Sequence, residues 1–182
     1  MTRTIDDQRL TLLALSARNG TPADFDAFTR ACYADVLRFT GYLSDPQSAE
    51  DLTQETFLRA MRSLPAFAGR SSARTWLLSI ARRVVIDRHR ASLRRPVVAG
   101  TDDWERAAER ARRTASTGPE DLTLLKTMLD ELPTERREAL LLTQIVGLSY
   151  AEAAEALGCP IGTVRSRVAR ARTELARALR PS

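Results

Sequence analysis

Apolar residues recur every three or four positions along this chain, in segments that proline and glycine separate. The clearest segment carries Phe25, Phe28, Cys32, Val36 and Phe39. This spacing places apolar side chains on one face of a helix, and proline ends helices because it cannot donate a backbone hydrogen bond. Aromatic residues make up only 5% of the chain, which disfavours a β-sandwich. The pattern therefore predicts an all-helical protein, and 182 residues are enough for two small cores.

Capping residues, prolines and glycines also predict where the helices end. The predicted helices span about residues 7–19, 22–43, 45–64, 73–94, 119–132, 134–146, 149–157 and 161–179. Residues 96–118 have proline and glycine at their ends and one large aromatic residue, Trp104, so this stretch is predicted to be a flexible linker. We therefore expect two small helical domains, at residues 1–95 and 119–182.

The second domain ends in a pattern typical of a helix-turn-helix. Ser149 and Glu152 have the spacing of a capping box that opens a short helix, and Gly158 supplies the turn. A longer basic helix follows, with Val164, Val168 and further apolar residues on one face. A short helix, a glycine turn and a longer basic helix predict a DNA-binding unit.

The charge is concentrated in separate segments. The net charge is +5, but residues 67–95 alone carry +7 and residues 161–182 carry +5, whereas residues 41–66 carry −2 and residues 119–160 carry −5. An ordinary solvated surface mixes the two signs, so two arginine-rich blocks indicate two contacts with a polyanion. Nucleic acid is the leading candidate.

The last helix offers a polar face opposite its apolar stripe. The N-terminal part of such a helix meets base edges, so the candidate readers are Arg165, Ser166, Ala169 and Arg170. Arg172 and Arg177 are candidate phosphate contacts. The alternative is that this basic face is exposed to solvent and binds no ligand. The capping box and the glycine turn before the helix favour DNA binding.

The other basic block follows a loop of small residues, Gly69 to Ala73. Backbone donors at a helix start and small side chains leave room for an anion or an extruded base. Asp87 stands four residues after Arg83 and three before Arg90, so part of this block is also predicted to form ion pairs within the helix. An ordinary helix entry is the alternative explanation for the loop.

No catalytic, cofactor or metal site is predicted. Asp51 and Glu55 are one helical turn apart, but no histidine or third carboxylate is placed to complete a site. Cys32 and Cys159 are far apart, lack a metal-binding pattern and are expected to be buried. No signal peptide or membrane segment is evident, so we expect a cytoplasmic protein. Because no catalytic set of residues is found, we also expect that it is not an enzyme. The residues alone leave open a stand-alone regulator that binds duplex operators as a dimer.

Four segments together resemble the extracytoplasmic-function sigma factors of bacterial RNA polymerase, with an actinobacterial appearance. Residues 48–60 (SAEDLTQETFLRA) resemble the helix of that family that binds the polymerase clamp, and residues 74–90 resemble the segment that melts and reads the downstream promoter element. Residues 132–154 and 162–172 resemble the reader of the upstream element. The four occur in the order of the family, which is more specific than a helix-turn-helix alone.

The resemblance implies a site for each partner. Core RNA polymerase would bind through its largest subunit to Glu50, Asp51, Gln54 and Glu55. Single-stranded downstream promoter DNA would be melted and read by Phe67, Gly69, Arg70, Ser71, Ser72, Trp76, Arg83, Asp87 and Arg90. The duplex upstream element would be read by Thr163, Arg165, Ser166, Arg167, Ala169, Arg170 and Arg172. An anti-sigma factor is a further candidate partner. Arg83 stands where the family often has asparagine, so the preferred bases cannot be copied from relatives.

Overall fold

Eight α-helices make up most of the residues that the computed structural model describes, which are 2–19, 22–94 and 120–179. In chain order they are α1 (Thr2–Arg18), α2 (Pro22–Leu43), α3 (Pro46–Ser63), α4 (Ala73–Arg94), α5 (Glu120–Asp130), α6 (Thr134–Leu140), α7 (Tyr150–Leu157) and α8 (Ile161–Ala178). The prediction of an all-helical fold is confirmed. The predicted linker, residues 96–118, lies outside the described residues.

The first four helices form the N-terminal half around the apolar face of α2. Phe28, Val36 and Phe39 are fully buried there, as are Leu77 and other apolar residues of α4. A buried hydrogen bond between the hydroxyls of Thr40 and Thr53, 3.0 Å long, joins α2 to α3. Each hydroxyl is thus satisfied without water, as burial of a polar group requires.

One face of α3 differs from its prediction. The apolar spacing predicts that Phe57, Ala60 and Met61 all face the core. Phe57 and Ala60 are buried as predicted, but Met61 is 49% exposed, and Leu58 beside it is 45% exposed. A 3₁₀ turn, Leu64–Ala66, follows α3 and buries Leu64. Two large apolar side chains therefore remain on the outside of α3.

The helix predicted at residues 134–146 is interrupted. After α6 the backbone widens into a π turn, Leu141–Ile145, in which the amide of Val146 donates to the carbonyl of Leu141 over 2.9 Å. The wider turn keeps Leu141, Leu142 and Val146 fully buried. Periodicity does not reveal this change, because the π turn is a single turn at the end of the helix, too short for apolar spacing to distinguish from an α turn.

The helix-turn-helix prediction is confirmed by its local geometry. The hydroxyl of Ser149 accepts from the amide of Glu152 over 3.2 Å, and the Glu152 carboxylate accepts from the amide of Ser149 over 2.8 Å. Gly158 ends α7 with φ of 65°, in the left-handed region that favours glycine. α8 then buries Val164, Val168 and Ala171.

The C-terminal half packs against the N-terminal half mainly through α7 on α4, and polar contacts surround this interface. Arg82 of α4 donates to Glu138 of α6 over 2.9 Å. Lys126 of α5 donates to the carbonyls of Gly41 and Ser44 over 3.0 and 2.8 Å. It is the only lysine in the sequence. Its contacts satisfy carbonyls at the end of α2 that lack a helical partner.

Arg74 is the most buried cation among the described residues, with 7% of its surface exposed. Its guanidinium pairs with Asp35 of α2, lies 3.7 Å from Asp7 of α1 and donates to the carbonyl of Val146 over 3.0 Å. One side chain at the start of α4 thus joins two other helices and the C-terminal half.

Arg74→Met should lower the free energy of unfolding by about 3 kcal/mol, because it leaves two partly buried carboxylates without their cation. Urea denaturation followed by circular dichroism measures this value. Arg30→Met is the matched control, since the Arg30–Asp26 pair is largely exposed and is expected to be worth less than about 0.5 kcal/mol. Equal losses in the two variants would contradict the structural role of Arg74.

Candidate nucleic-acid interface

A cleft of about 330 Å³ lies beside the loop between α3 and α4. Four of the predicted downstream-element residues line it, together with the hydroxyls of Thr75 and Ser79. These four are Phe67, Arg70, Ser71 and Trp76. Glu155 and Ala156 of α7 also border the cleft, so both halves of the protein contribute to its lining. The cleft combines an aromatic surface, hydroxyls and one cation, which are groups that can hold a nucleobase.

Two loop residues have structural partners of their own. Phe67 is 4% exposed and its ring lies 4.8 Å from the ring of Trp76, centroid to centroid. The hydroxyl of Ser72 accepts from the amide of Thr75 over 3.1 Å, which caps α4. Gly69 has φ of 66°, a conformation that only glycine adopts without strain. The loop therefore has a defined conformation and is not a flexible connection between α3 and α4.

The three predicted residues further along α4 are exposed and do not line the cleft. Arg90 lies about 21 Å along the helix axis from Trp76, at the standard rise per residue. The ion pairs predicted for Asp87 with Arg83 and Arg90 are not formed among the described residues. Asp87 pairs instead with Arg59 of α3, over 2.5 Å.

Arg59 connects two predicted sites. Its Nε donates to Glu55 over 2.7 Å while its Nη1 donates to Asp87, and these hydrogen bonds raise the pKa of Arg59 above its ordinary value. Sequence spacing gave Arg59 no role, because the contact with Asp87 crosses from one helix to another. Asp87 is thereby held on the outer side of α4.

The predicted polymerase-binding residues share the outer surface of α3. Glu50, Asp51 and Gln54 are exposed and Glu55 is partly exposed. Leu58 and Met61 follow at helical spacing and add exposed apolar area. We call these six residues the α3 surface. Acidic groups beside apolar ones suit a protein partner better than DNA, whose phosphates would be repelled.

Most of the predicted readers of α8 are exposed, on the side opposite its buried stripe. Exposed are Arg165, Ser166, Ala169, Arg170 and Arg172, as well as the predicted phosphate contact Arg177. Thr163 and Arg167 are partly buried, and Arg167 lies 3.6 Å from the sulfur of Cys159. Arg172 also donates to Gln144.

Part of the basic charge of α4 has structural partners. Arg74 and Arg82 were counted toward a nucleic-acid contact, but both are engaged in the interface between the halves. Glu138, the partner of Arg82, is 1% exposed; burial raises its pKa, and the Arg82 guanidinium lowers it by a smaller amount. Charge counting cannot separate such arginines from exposed ones.

The two cysteines and the titratable side chains are further candidates for chemistry. Burial raises the pKa of the Cys32 thiol to about 12, whereas Cys159 is partly exposed, contrary to the expectation that both cysteines are buried. Within the described ranges, no cluster of three or more histidine, cysteine or acidic residues could hold a metal ion. No described helix is long and apolar enough to cross a membrane.

Comparison with known families identifies both halves. Residues 28–95 match the family model of sigma-70 region 2, and residues 122–175 match that of sigma-70 region 4. A curated relative, the "ECF RNA polymerase sigma factor SigC" of Mycobacterium tuberculosis, is 54% identical over 93% of this chain and 91% of its own length. The chain belongs to the extracytoplasmic-function sigma factors. The resemblance found in its four sequence segments is thus confirmed, including its actinobacterial character.

More distant relatives support this family assignment. The ECF RNA polymerase sigma-E factor of Escherichia coli is 34% identical over 72% of this chain and 73% of its own length. Among solved structures, CnrH in complex with the cytosolic domain of CnrY is 27% identical, with a TM-score of 0.72 over 94% of this chain and 97% of that one. RpoE of Bartonella quintana, in complex with the anti-sigma factor NepR, has a TM-score of 0.67 over 86% and 96%, at 28% identity.

The buried carboxyl of Glu138 predicts a pH dependence of this sigma factor's stability. Because the pKa of Glu138 is raised on folding, its contribution to stability is fully present below its unfolded pKa, about 4.3, and is lost as the pH rises through the folded pKa. Glu138→Gln removes this titration. The free energy of unfolding of the parent, relative to the variant, should therefore fall as the pH rises from about 4 toward neutral.

Urea denaturation across that pH range measures the difference. Glu131→Gln is the control, because Glu131 is an exposed carboxylate. A difference between parent and Glu138→Gln that rises with pH would contradict the direction assigned to Glu138.

Proposed function

We propose that the α3 surface docks this sigma factor on core RNA polymerase, at a coiled coil of the largest subunit. The observation that carries the proposal is the separation of three surfaces: an acidic and apolar one on α3, and two basic ones on α4 and α8. Leu58 and Met61 supply apolar area at the centre of a protein contact, while the acids beside them match a basic partner.

The cleft at the loop is proposed to hold a base of the melted downstream element. A base in it would lie against Trp76, within reach of the hydroxyls of Ser71 and Thr75 and of the Arg70 guanidinium. The exposed Arg83 and Arg90 would bind phosphates of the same strand. Asp87, fixed by Arg59, would restrict which base fits on that side of α4.

The exposed face of α8 is proposed to read the duplex upstream element. The residues near its start, Arg165, Ser166, Ala169 and Arg170, would meet base edges in the major groove. Arg172 and Arg177 would contact phosphates. Thr163 and Arg167, partly buried at the first turns, would orient the helix rather than reach deep into the groove.

The remaining assignments follow from these roles. Residues 1–95 would bind polymerase and melt the promoter, residues 96–118 would connect, and residues 119–182 would bind the upstream element. Catalysis would belong to the polymerase, so the chain itself is proposed to have no enzymatic activity and to act in the cytoplasm with its partners. The solved structure of the relative RpoE in complex with the anti-sigma factor NepR supports an anti-sigma factor as a further candidate partner.

Asp51→Arg should weaken binding to core polymerase at least tenfold, about 1.4 kcal/mol, because it places a cation against a basic partner surface. Asp51 is exposed on a helix held by its opposite face, so the melting temperature should stay the same. Fluorescence anisotropy with labelled protein and purified core measures the affinity.

Glu131→Arg is the matched control for Asp51→Arg, since it makes the same charge change at an exposed position outside the α3 surface. It should bind core polymerase like the parent. Equal affinities for Asp51→Arg and the parent would remove the docking assignment.

Arg170→Ala and Arg177→Ala should separate sequence reading from general affinity. Loss of a base contact at Arg170 should cost about 1–3 kcal/mol on the preferred upstream sequence and less on others, whereas loss of Arg177 should weaken all sequences alike. Binding of holoenzyme to a library with a randomised upstream element measures both effects. If Arg170→Ala lowers only the salt dependence, Arg170 is a phosphate contact.

A further inference from the structure

Helix α1 contacts the loop between α3 and α4 at three points along one of its faces. Arg18 donates to the carbonyl of Phe67 over 3.1 Å. Leu15 lies over Gly69, so close that a Cβ on that glycine would be 3.4 Å from Leu15 Cδ1. Thr11 accepts from the amide of Ala73 over 3.0 Å. The loop is thus held at its beginning, its middle and its end.

Two of these contacts supply hydrogen-bond partners from outside the loop. The first amides of a helix have no partner within the helix, and Ala73 is fully buried at the start of α4. The Thr11 hydroxyl provides that partner while donating to the carbonyl of Asp7 over 2.8 Å. Arg18 brings a charged donor to the Phe67 carbonyl, and hydrogen bonds to charged groups are among the stronger ones.

We propose that α1 belongs to the promoter-reading element. Even in the absence of DNA, Thr11, Leu15 and Arg18 hold the loop in the conformation that receives a base. The inference rests on the proposed function of that loop. Nothing in the family match assigns this role, since the match to region 2 begins at residue 28 and α1 ends at Arg18. The three side chains are positioning residues, because none of them lines the cleft beside Trp76.

The physical reason is preorganisation. Ordering a flexible backbone costs conformational entropy, so a loop of seven residues without fixed contacts would oppose capture of a base. A loop already fixed by α1 loses little further freedom on binding. The contacts from α1 should therefore affect the discrimination between bases at the downstream element, where the loop acts, and leave the α8 contacts unchanged.

The test uses the full chain with core polymerase and two promoter libraries, one randomised at the downstream element and one at the upstream element. Thr11→Val keeps the shape but removes the hydrogen bonds, and Arg18→Gln removes the charged donor. Each should reduce discrimination at the downstream element about tenfold, as expected for the loss of one such hydrogen bond. Discrimination at the upstream element and affinity for core should remain at parent values.

Three controls make the outcomes distinct. Arg9→Gln makes the same charge change as Arg18→Gln at an exposed position of α1 and should behave like the parent. Arg18→Lys keeps a charged donor and should restore most of the discrimination. The double variant Arg70→Ala, Ser71→Ala alters the loop itself and should reduce downstream discrimination.

If the loop variant changes nothing, the proposed function of the loop fails. If the loop variant has its effect while Thr11→Val and Arg18→Gln discriminate like the parent, the role of α1 is overturned. A uniform loss at both elements with a lowered melting temperature would overturn it as well, since α1 would then support only the fold.

Discussion

The buried guanidinium of Arg74 is the interaction on which the arrangement of this sigma factor depends. It sits in the first turn of α4, where it pairs with Asp35 of α2 and lies near Asp7 of α1. It also donates to the carbonyl of Val146 in the C-terminal half. Removing one member of such a buried set costs more than an exposed pair contributes, because a charge is left without its partner. The start of α4, and with it the end of the reading loop, is therefore fixed from three directions.

The arginines of α4 divide into two groups with different tasks. Arg74 and Arg82 face the rest of the protein, whereas Arg83 and Arg90 face solvent and remain available to phosphates. Arg59 of α3 adds a third arrangement, since it holds Asp87 on the reading helix and Glu55 on the α3 surface at once. Arg59 thus contacts one residue of the surface proposed for polymerase and one residue of the surface proposed for DNA.

Much of the fold was predictable from the sequence, because proline, glycine and capping residues mark helix ends by local chemistry. The capping box at Ser149 and the glycine turn at Gly158 are examples in which a few residues determine the geometry. The π turn after α6 and the exposure of Met61 were not predictable, since both depend on packing between distant segments. For the same reason the sequence revealed the exposed face of α8 but not the support of the loop by Thr11 and Arg18.

As a sigma factor, this chain is expected to read promoter DNA as a subunit of RNA polymerase rather than alone. Footprinting of one promoter can be done with the chain alone, with core polymerase alone and with the two proteins together. We expect protection of an upstream and a downstream element, with permanganate-reactive bases in the downstream one, only when both proteins are present. Protection of duplex DNA by the chain alone, at the same concentration and salt, would contradict this expectation.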